Sequence, residues 1–159
     1  MIPKYRVAYK NKILGEVGSI DFIDQTVTVP VYDSETGEYL ADLELGLNQV
    51  ILMQSTGLFD KNGKEIFEGD VIKFNDVWAE YCYEGYVDGC SEGENIVEIV
   101  KTKNGWGFGK TKFTDSSIFY FLEEERMTFR EIVESNDFNM VVVGNIYENP
   151  ELMEVLDEN

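Results

Sequence analysis

The sequence predicts a mainly β fold with a few short helices, an α+β fold in which strands dominate. Turn signals recur along the chain, and short runs of alternating or β-branched apolar residues stand between them. Hydrophobic residues make up 43% and aromatic residues 13% of the chain, which favours a packed core over a disordered chain. A length of 159 residues fits one domain or two small subdomains. We expect an N-terminal β subdomain (residues 1–57), a small SH3-like, partly open barrel (residues 58–159) and a C-terminal capped helix, with a soft boundary.

The N-terminal subdomain is predicted from alternating apolar residues. Ser19–Val31 alternates on either side of Asp24-Gln25, which predicts a β-hairpin with Pro30 near a strand end or edge. Val50–Met53 predicts a short buried strand, since no helix fits before Gly57. The remaining segments predict a loop at Asp33–Gly37 and a weakly alternating strand at Tyr39–Leu47.

Asp60–Lys64 carries the strongest turn signal of the chain. Asn62-Gly63 is the pair that supplies positive φ angles in a tight hairpin turn. The acids invite comparison with a calcium-binding EF-hand loop, which needs glycine in sixth and glutamate in twelfth position. Counted from Asp60, glycine stands fourth and Val71 twelfth, so the pattern favours a turn.

The C-terminal half combines strands with short helices. Thr128 and Glu131 form a capping-box pattern that predicts a helix over Phe129–Glu134. Asn149 is predicted to cap a helix with Pro150 in its first turn. This final helix is predicted to extend to Leu156, and Ile118–Leu122 stays unassigned. A turn is predicted at Glu68–Asp70. The predicted strands are Val71–Phe74, Ile96–Val100, the closely packed Gly105–Gly109 region, and Val141–Val143, which is expected to be buried on both faces.

The charge of the chain restricts its partners. A formal net charge of −18 and a pI near 4.2 disfavour binding to nucleic-acid phosphates and to anionic membranes. They favour basic protein partners or imitation of a polyanion, and a solvated acidic surface is the simpler interpretation. The acid-rich candidate patches are Glu80–Glu94 and Glu148–Glu158. No apolar run approaches the ~20 residues of a membrane span, so we expect a soluble protein of the cytoplasm.

Catalysis is not predicted. The chain has no histidine, which excludes catalytic triads and histidine-metal sites, and it contains no P-loop motif. Cys82 and Cys90 cannot complete a tetrahedral zinc site by themselves and are expected as half-buried thiols across a hairpin. Glu65, Glu68 and Asp70 offer carboxylates for a divalent cation, but setting turn geometry is the favoured role. We therefore expect no catalytic residue, no metal and no cofactor.

Lys101–Lys112 is the one basic segment, and it contains Trp106 and Phe108. Residues two apart on a strand point to the same face. Aromatic side chains beside lysines such as Lys103 and Lys110 are typical of surfaces that bind single-stranded nucleic acid. The net charge disfavours this alternative, and a core position for the large Trp106 side chain is the simpler interpretation.

Two sequence blocks resemble the YopX-like proteins of phages and prophages. The first runs through Leu52–Leu58, Asp60–Ile66 and Glu68–Asp70, and the second is Gly144–Leu152. The resemblance implies a phage or prophage origin and a candidate homo-oligomer. It implies no activity and supplies no catalytic residues.

The residues of these blocks suit a structural role, with a partner surface as the alternative. The candidate interaction residues are Gln54, Thr56, Asn145 and Tyr147, together with Lys103, Trp106, Phe108 and Lys110 of the basic segment. The leading hypothesis is a non-catalytic protein-interaction module with an unknown partner. The alternatives are an acidic DNA-mimic inhibitor of a host DNA-binding protein and nucleic-acid binding through Lys101–Lys112.

Overall fold

The computed structural model describes residues 2–81 and 87–154, with side chains throughout except at residues 78–81, 87–88 and 90–91. The fold is mainly β with few short helices, and a sheet curls into a half-barrel, which confirms the predicted fold class. The chain divides into two compact units, residues 1–55 and residues 56–159. The boundary expected from sequence, between residues 57 and 58, stays a prediction.

The first unit is built from antiparallel strands around a small valine-centred core. Val7, Val27 and Val29 are fully buried, and leucines including Leu14 and Leu45 pack against them. Its strands are β1 (Tyr5–Tyr9), β2 (Lys12–Glu16), β3 (Ser19–Asp21), β4 (Thr26–Tyr32), β5 (Tyr39–Gly46) and the start of β6 (Ile51–Phe59), with a 3-10 helix at Leu47–Gln49. The strand order is β3-β4-β5 in one sheet, and β1 lies between β2 and β6 in the other.

The predicted hairpin of the first unit is confirmed. Strands β3 and β4 pair antiparallel, with Ile20 opposite Val27, and Gln25 in the turn has a positive φ of 56°. A second hairpin joins β1 and β2 through Lys10 and Asn11, whose φ angles are 49° and 63°. The sequence does not predict this turn, because Lys10-Asn11 lacks the glycine that usually marks such turns.

Strand β6 is longer than predicted. It continues beyond Met53 to Phe59, and Gly57 lies inside it with a φ of 76°. Only glycine adopts this angle at low cost, so Gly57 permits a bend within the strand instead of ending it. Met53 is buried as expected, whereas Ile51 is exposed.

The second unit is organised around a four-stranded antiparallel sheet with the order β10-β9-β8-β11. Its elements are β7 (Glu65–Phe67), β8 (Asp70–Tyr81), β9 (Val87–Thr102), β10 (Gly105–Thr111), α1 (Ser117–Glu123), α2 (Phe129–Glu134) and β11 (Val141–Asn145), followed by a 3-10 helix at Pro150–Met153. The core joins the sheet to both helices through buried side chains such as Ile72, Phe74, Ile118 and Ile132. The sheet therefore depends on α1 and α2 to cover one of its faces.

The turn at Asp60–Lys64 is confirmed, but its geometry differs from the prediction. Only Gly63 has a positive φ, 80°, so this is not a turn with two left-handed residues. In place of a second left-handed residue, hydrogen bonds to the buried Asp60 carboxylate stabilise the turn. Its Oδ1 accepts hydrogen bonds from the backbone N–H groups of Asn62 (2.9 Å) and Lys64 (2.8 Å), and its Oδ2 accepts one from Val142 N–H (2.8 Å). The turn is thereby joined to strand β11.

Helix α2 spans the predicted residues and has the predicted capping box. The Thr128 hydroxyl accepts from Glu131 N–H, and the Glu131 carboxylate accepts from Thr128 N–H. The unassigned apolar run at 118–122 forms helix α1, whose N-cap is Ser116. Both helices follow a hydroxyl residue that satisfies a free backbone N–H of the first turn.

The C-terminal predictions need two corrections. Strand β11 returns to the sheet as expected, but it is the outer strand and Val143 is 38% exposed, so it is not buried on both faces. Pro150 begins a 3-10 helix that ends at Met153, and no side chain caps it. The Asn149 side chain instead accepts a hydrogen bond from Asn145 N–H. The predicted extension to Leu156 lies outside the described residues.

Candidate functional site

A pocket of about 590 Å³ opens in the second unit. It lies where the β8–β9 ribbon faces helix α1, the segment after it, and the segment between α2 and β11. Its described lining is Asn75, Asp76, Val77, Glu92, Gly93, Glu94, Ser117, Phe121, Met127, Ser135, Asp137 and Phe138. A volume of this size is in the range of sites that hold a small ligand or a peptide side chain.

One part of the pocket is apolar and aromatic. Phe121 and Phe138 stand edge to face, with their ring centroids 5.4 Å apart. Met127 lies close to α1 because its N–H donates a hydrogen bond to the carbonyl of Phe121 (2.9 Å). The pocket thus has two aromatic rings and a thioether within one lining.

Two acids accompany the apolar part of the lining. Asp76 is buried against α1, and Asp137 is exposed on the segment before β11. Glu92 and Glu94 alternate along β9 with Gly93 and Asn95, so their side chains project from the opposite face of the strand, where Glu94 lies 3.7 Å from Lys73. Among the described residues, the pocket thus combines an aromatic surface with the carboxylates of Asp76 and Asp137.

The buried Asp76 carboxylate fixes the geometry of the pocket. Its Oδ1 accepts from the N–H (2.9 Å) and the hydroxyl (2.7 Å) of Ser117, at the first turn of α1. Its Oδ2 accepts from the side-chain amide of Asn95 (2.8 Å). Asn95 also donates to the carbonyl of Phe113 (3.0 Å). This network ties α1 to β8 and β9 and so sets the width of the pocket.

The segment before β11 is held to the ribbon by backbone contacts. Asn75 N–H donates to the carbonyl of Phe138 (2.8 Å), and Asp137 N–H donates to the hydroxyl of Ser135 (3.2 Å). These contacts place Phe138 against Phe121 and present Asp137 at the pocket.

The residues selected from the two signature blocks divide into buried and accessible ones. Thr56 is buried, with its hydroxyl donating to the carbonyl of Ile66 (2.8 Å). Asn145 is buried, and its side-chain oxygen accepts from the N–H groups of Tyr147 and Glu148. Gln54 and Tyr147 are half-buried. Thr56 and Asn145 therefore act inside the fold, and an interaction role stays a prediction for Gln54 and Tyr147.

The basic segment forms the β9–β10 hairpin. Phe108 is buried against Phe129, with ring centroids 4.7 Å apart. Trp106 is half-buried, and the Lys101 ammonium lies 6.0 Å from its ring centroid. Lys103 and Lys110 are exposed. The hairpin thus presents lysines, while Phe108 belongs to the core instead of a stacking surface.

The glycines of this hairpin allow the close strand packing expected from sequence. A Cβ atom at Gly109 would lie 2.8 Å from Val100 Cγ1, and one at Gly107 would lie 2.9 Å from Thr102 Cγ2. The glycine-rich stretch leads into a strand pair and not into a helix, so it is not a phosphate cradle.

The predicted cation ligands take structural positions. Asp70 is fully buried and its Oδ2 accepts from Phe67 N–H (2.8 Å), which shapes the turn before β8. Within the described part of the chain, no cluster of acids or cysteines gathers in a way that could hold a metal ion. Cys82 lies outside the described residues, as does the side chain of Cys90, so their expected state stays a prediction.

Glu98 and Tyr147 form a second, more enclosed acidic feature. Partial burial raises the pKa of Glu98 above its ordinary value. Burial also raises the pKa of Tyr147, with further contributions from the negative charges of Glu68 and Glu98. A carboxylate in such a position opposes folding when it is ionised.

The Glu98→Gln variant is expected to be more stable than the wild type at pH 7. The pKa of Glu98 in the folded protein lies above its ordinary value of 4.5, so the protonated carboxyl is the form that favours folding. Its contribution is complete below pH 4.5 and is lost as the pH rises through the folded-state pKa. Thermal unfolding from pH 4 to 7 should show the stability gain of the variant growing with pH, and an equal gain at every pH would contradict this.

The pocket is not predictable from the sequence because its lining comes from several separated segments. Phe121 lies in an apolar run whose periodicity assigns no secondary structure, and Phe138 and Met127 lie outside any motif. The alternation of Glu92, Gly93 and Glu94 predicts an acidic strand face, but that face is the one turned away from the pocket.

Described helices of this chain include none with the length and apolar character needed to cross a membrane.

Comparisons with known proteins identify a family and a fold. A family model described as YopX protein matches residues 4–154. A crystal structure of protein EF1440 from Enterococcus faecalis is similar, with a TM-score of 0.57 and 24% identity over 97% of this chain and 99% of that chain. At this identity the similarity concerns the fold. No curated protein matches this chain.

Proposed function

This chain belongs to the YopX family, and we propose that it is a phage- or prophage-encoded, non-catalytic protein-interaction module that binds a protein partner through the pocket of its second unit. The observation that carries the proposal is the pocket that combines the aromatic side chains of Phe121 and Phe138 with the exposed carboxylate of Asp137. Pockets that combine a large apolar contact area with a few polar groups are the usual form of binding sites. A negatively charged protein with such a pocket is suited to partners that carry positive charge.

The proposal is supported by the way the pocket is held. Asp76 is only 3% exposed and satisfies its hydrogen bonds within the fold, so it fixes α1 in place. The Asp137 side chain is exposed at the same pocket and so is accessible to a partner. Preorganised apolar surfaces with accessible charge bind at a low entropic cost.

Closing the pocket without a change in charge tests the proposal. Gly93 lines the pocket and lies opposite Asp76 on the face of the ribbon that meets α1, so Gly93→Trp should fill part of the space, and β-strands accept aromatic residues. Val143→Trp is the control, since Val143 is an exposed strand residue on β11 outside the described lining. Tagged versions of both variants and the wild type are used as baits in host lysate treated with nuclease.

We expect Gly93→Trp to lose the partner that the wild type and Val143→Trp retain. Partner recovery at wild-type levels with Gly93→Trp would refute the pocket as the binding site. A change in the melting temperature of either variant is measured in parallel, so that loss of folding is not mistaken for loss of binding.

An acidic inhibitor of a host DNA-binding protein is the second candidate function. The net charge of −18 supports it. The candidate patches at 80–94 and 148–158 extend partly beyond the described residues, so their spacing relative to DNA phosphates stays a prediction. In the pull-down, a DNA-binding partner that survives nuclease and is retained by Gly93→Trp would favour this candidate.

Nucleic-acid binding through Lys101–Lys112 is the third candidate, supported by the exposed Lys103 and Lys110. Burial of Phe108 leaves less aromatic surface for bases to stack on. The Lys103→Glu/Lys110→Glu variant separates it from the others. Partners that disappear with nuclease and with this variant would favour the third candidate over the proposed function.

Self-association is also part of the proposal. Strand β5 is an outer strand of its sheet, and Tyr39, Leu40 and Leu43 on it are exposed. Outer strands with apolar side chains are common sites of strand pairing between chains. The molar mass in solution, measured by light scattering across a concentration series, distinguishes a monomer from an oligomer.

A further inference from the structure

We propose that copies of this chain associate by pairing the acidic outer strand β5 of one copy with the basic outer strand β10 of another. This inference rests on the self-association included in the proposed function and specifies the two surfaces that meet. It combines three observations: both strands lie at the edge of their sheets, the two edges carry opposite charge, and both strands offer apolar surface.

The backbone groups of β5 that point away from its sheet belong to Asp42 and Glu44. Gly18 N–H donates to the carbonyl of Thr28 (2.8 Å), so the backbone groups of Thr28 point toward β3. Glu44 is the partner of Thr28 in the β4–β5 pair. Because hydrogen-bonded and non-hydrogen-bonded pairs alternate along antiparallel strands, the N–H and C=O groups of Glu44 point away from β4, as do those of Asp42 two residues earlier. These groups are positioned to pair with another strand.

The charges on β5 oppose pairing between two copies of this same strand. In a symmetric antiparallel pair, the registers that join the strand centres would place Asp42 opposite Asp42 or Glu44 of the other copy. Like charges directly opposite each other destabilise a strand pair. Residues 33–46 contain five acids and no lysine or arginine, so this edge favours a basic partner strand.

Strand β10 has the opposite charge and a comparable length. It contains seven residues, and β5 contains eight. Residues 101–112 include four lysines and no acid, and the exposed Lys103 and Lys110 lie near the two ends of β10. These lysines are seven positions apart, while Glu38 and Glu44 at the two ends of the acidic edge are six apart. Opposite charges can therefore meet at both ends of a β5–β10 pair.

Apolar side chains on both strands add contact area. Tyr39, Leu40 and Leu43 are exposed on β5, and Trp106 is half-buried on β10. Aromatic and aliphatic side chains on neighbouring strands stabilise sheets when they pack against each other. The charges thus select the partner strand, and the apolar contacts contribute affinity.

Charge also decides which edges meet. Charged side chains on outer strands ordinarily prevent pairing between copies. Here two β5 edges repel each other, as do two β10 edges, whereas β5 and β10 attract. Since two different surfaces meet, the contact is head to tail and continues into a closed ring, of which a dimer with two such contacts is the smallest, or into an open chain.

The experiment measures the molar mass of the full-length protein by light scattering over a concentration series. The acidic-edge variant is Asp42→Lys/Glu44→Lys, and the basic-edge variant is Lys103→Glu/Lys110→Glu. We expect each variant alone to associate at least about tenfold more weakly than the wild type, because both of its edges then carry like charge. An equimolar mixture should regain association, since the lysines on β5 of one variant match the glutamates on β10 of the other. This recovery also shows that both variants are folded.

The control variant is Glu123→Lys/Glu124→Lys. It makes the same charge change as the acidic-edge variant at exposed positions outside both strands. Charges remote from the contact are screened by salt, so association should change by less than about twofold.

Association of either edge variant at wild-type strength would overturn the inference, as would a mixture that is no heavier than its separate components. The wild type would then still associate, but through another surface. A wild type that stays monomeric at every concentration would overturn self-association itself together with this inference. The test of the pocket with Gly93→Trp is independent of both results.

Discussion

The Asp76→Ala variant is expected to lose about 3–4 kcal/mol of unfolding free energy, the largest effect of any single substitution considered for this protein. The Asp76 side chain is 3% exposed and accepts hydrogen bonds from Val77 N–H, from Ser117 and from Asn95. Removing the carboxylate leaves these buried donors without their acceptor. Since burial prevents water from replacing it fully, the cost is that of several unsatisfied groups.

Urea unfolding followed by tryptophan fluorescence measures this effect. Both tryptophans of the chain, Trp78 and Trp106, belong to the second unit, so the signal reports the unit that contains Asp76. The control is Asp137→Ala, because Asp137 is an exposed acid of the same pocket, and its effect should stay within about 0.5 kcal/mol. Similar unfolding midpoints for the two variants would contradict the structural role assigned to Asp76.

The Asp60→Ala variant is expected to lose about 2–3 kcal/mol. Asp60 is 7% exposed, and its carboxylate accepts from three backbone N–H groups, two within its own turn and one, from Val142, on strand β11. The substitution therefore loosens the turn and its attachment to the outer strand of the sheet together. The same urea unfolding assay measures the loss.

Two further variants separate the contributions of Asp60. Asp60→Asn keeps one oxygen for the turn but presents an amide donor toward Val142 N–H, so its cost should fall between those of the wild type and Asp60→Ala. Asp24→Ala, an exposed turn acid in the first unit, should leave stability within about 0.5 kcal/mol of the wild type. If Asp60→Ala behaves like Asp24→Ala, the turn does not depend on its buried carboxylate.

Elements with local signals were predictable from sequence. The capping box at Thr128 and Glu131 marks the start of α2, and the alternation around Gln25 predicts the β3–β4 hairpin. Such patterns act within a few residues, where backbone geometry and side-chain hydrogen bonds dominate. The turn at Lys10-Asn11 also joins two paired strands, but it contains no glycine, so the sequence carries no strong turn signal there.

Features that depend on tertiary contacts were not predictable. The Asp60 carboxylate accepts a hydrogen bond from Val142 N–H, 82 positions away. It stabilises a turn in which Asn62 does not have the positive φ expected from sequence. The Asn149 side chain bonds to Asn145 N–H beside Gly144, where an added Cβ would lie 2.5 Å from the Asn149 oxygen. Both arrangements require knowledge of which strands are neighbours, and a single sequence does not contain it.

The candidate site shows the same limit. The net charge of the chain predicts basic partners, and this prediction is part of the proposed function. The pocket itself arises because Asp76 and Asn95 fix α1 beside the ribbon, which places Phe121 in the same lining as Asp76 and Gly93. The residues selected from sequence were instead those with visible motifs, and Thr56, Phe108 and Asn145 among them proved to be interior.

The central claim, that the pocket binds a protein partner, is tested most directly by photo-crosslinking in nuclease-treated host lysate. A benzophenone amino acid replaces the exposed Asp137 at the pocket or, as the control, the exposed Val143 outside it. Mass spectrometry then identifies the peptides that become attached. We predict that one partner is captured specifically from position 137. Equal capture from both positions, or capture of no partner from position 137, would contradict the account.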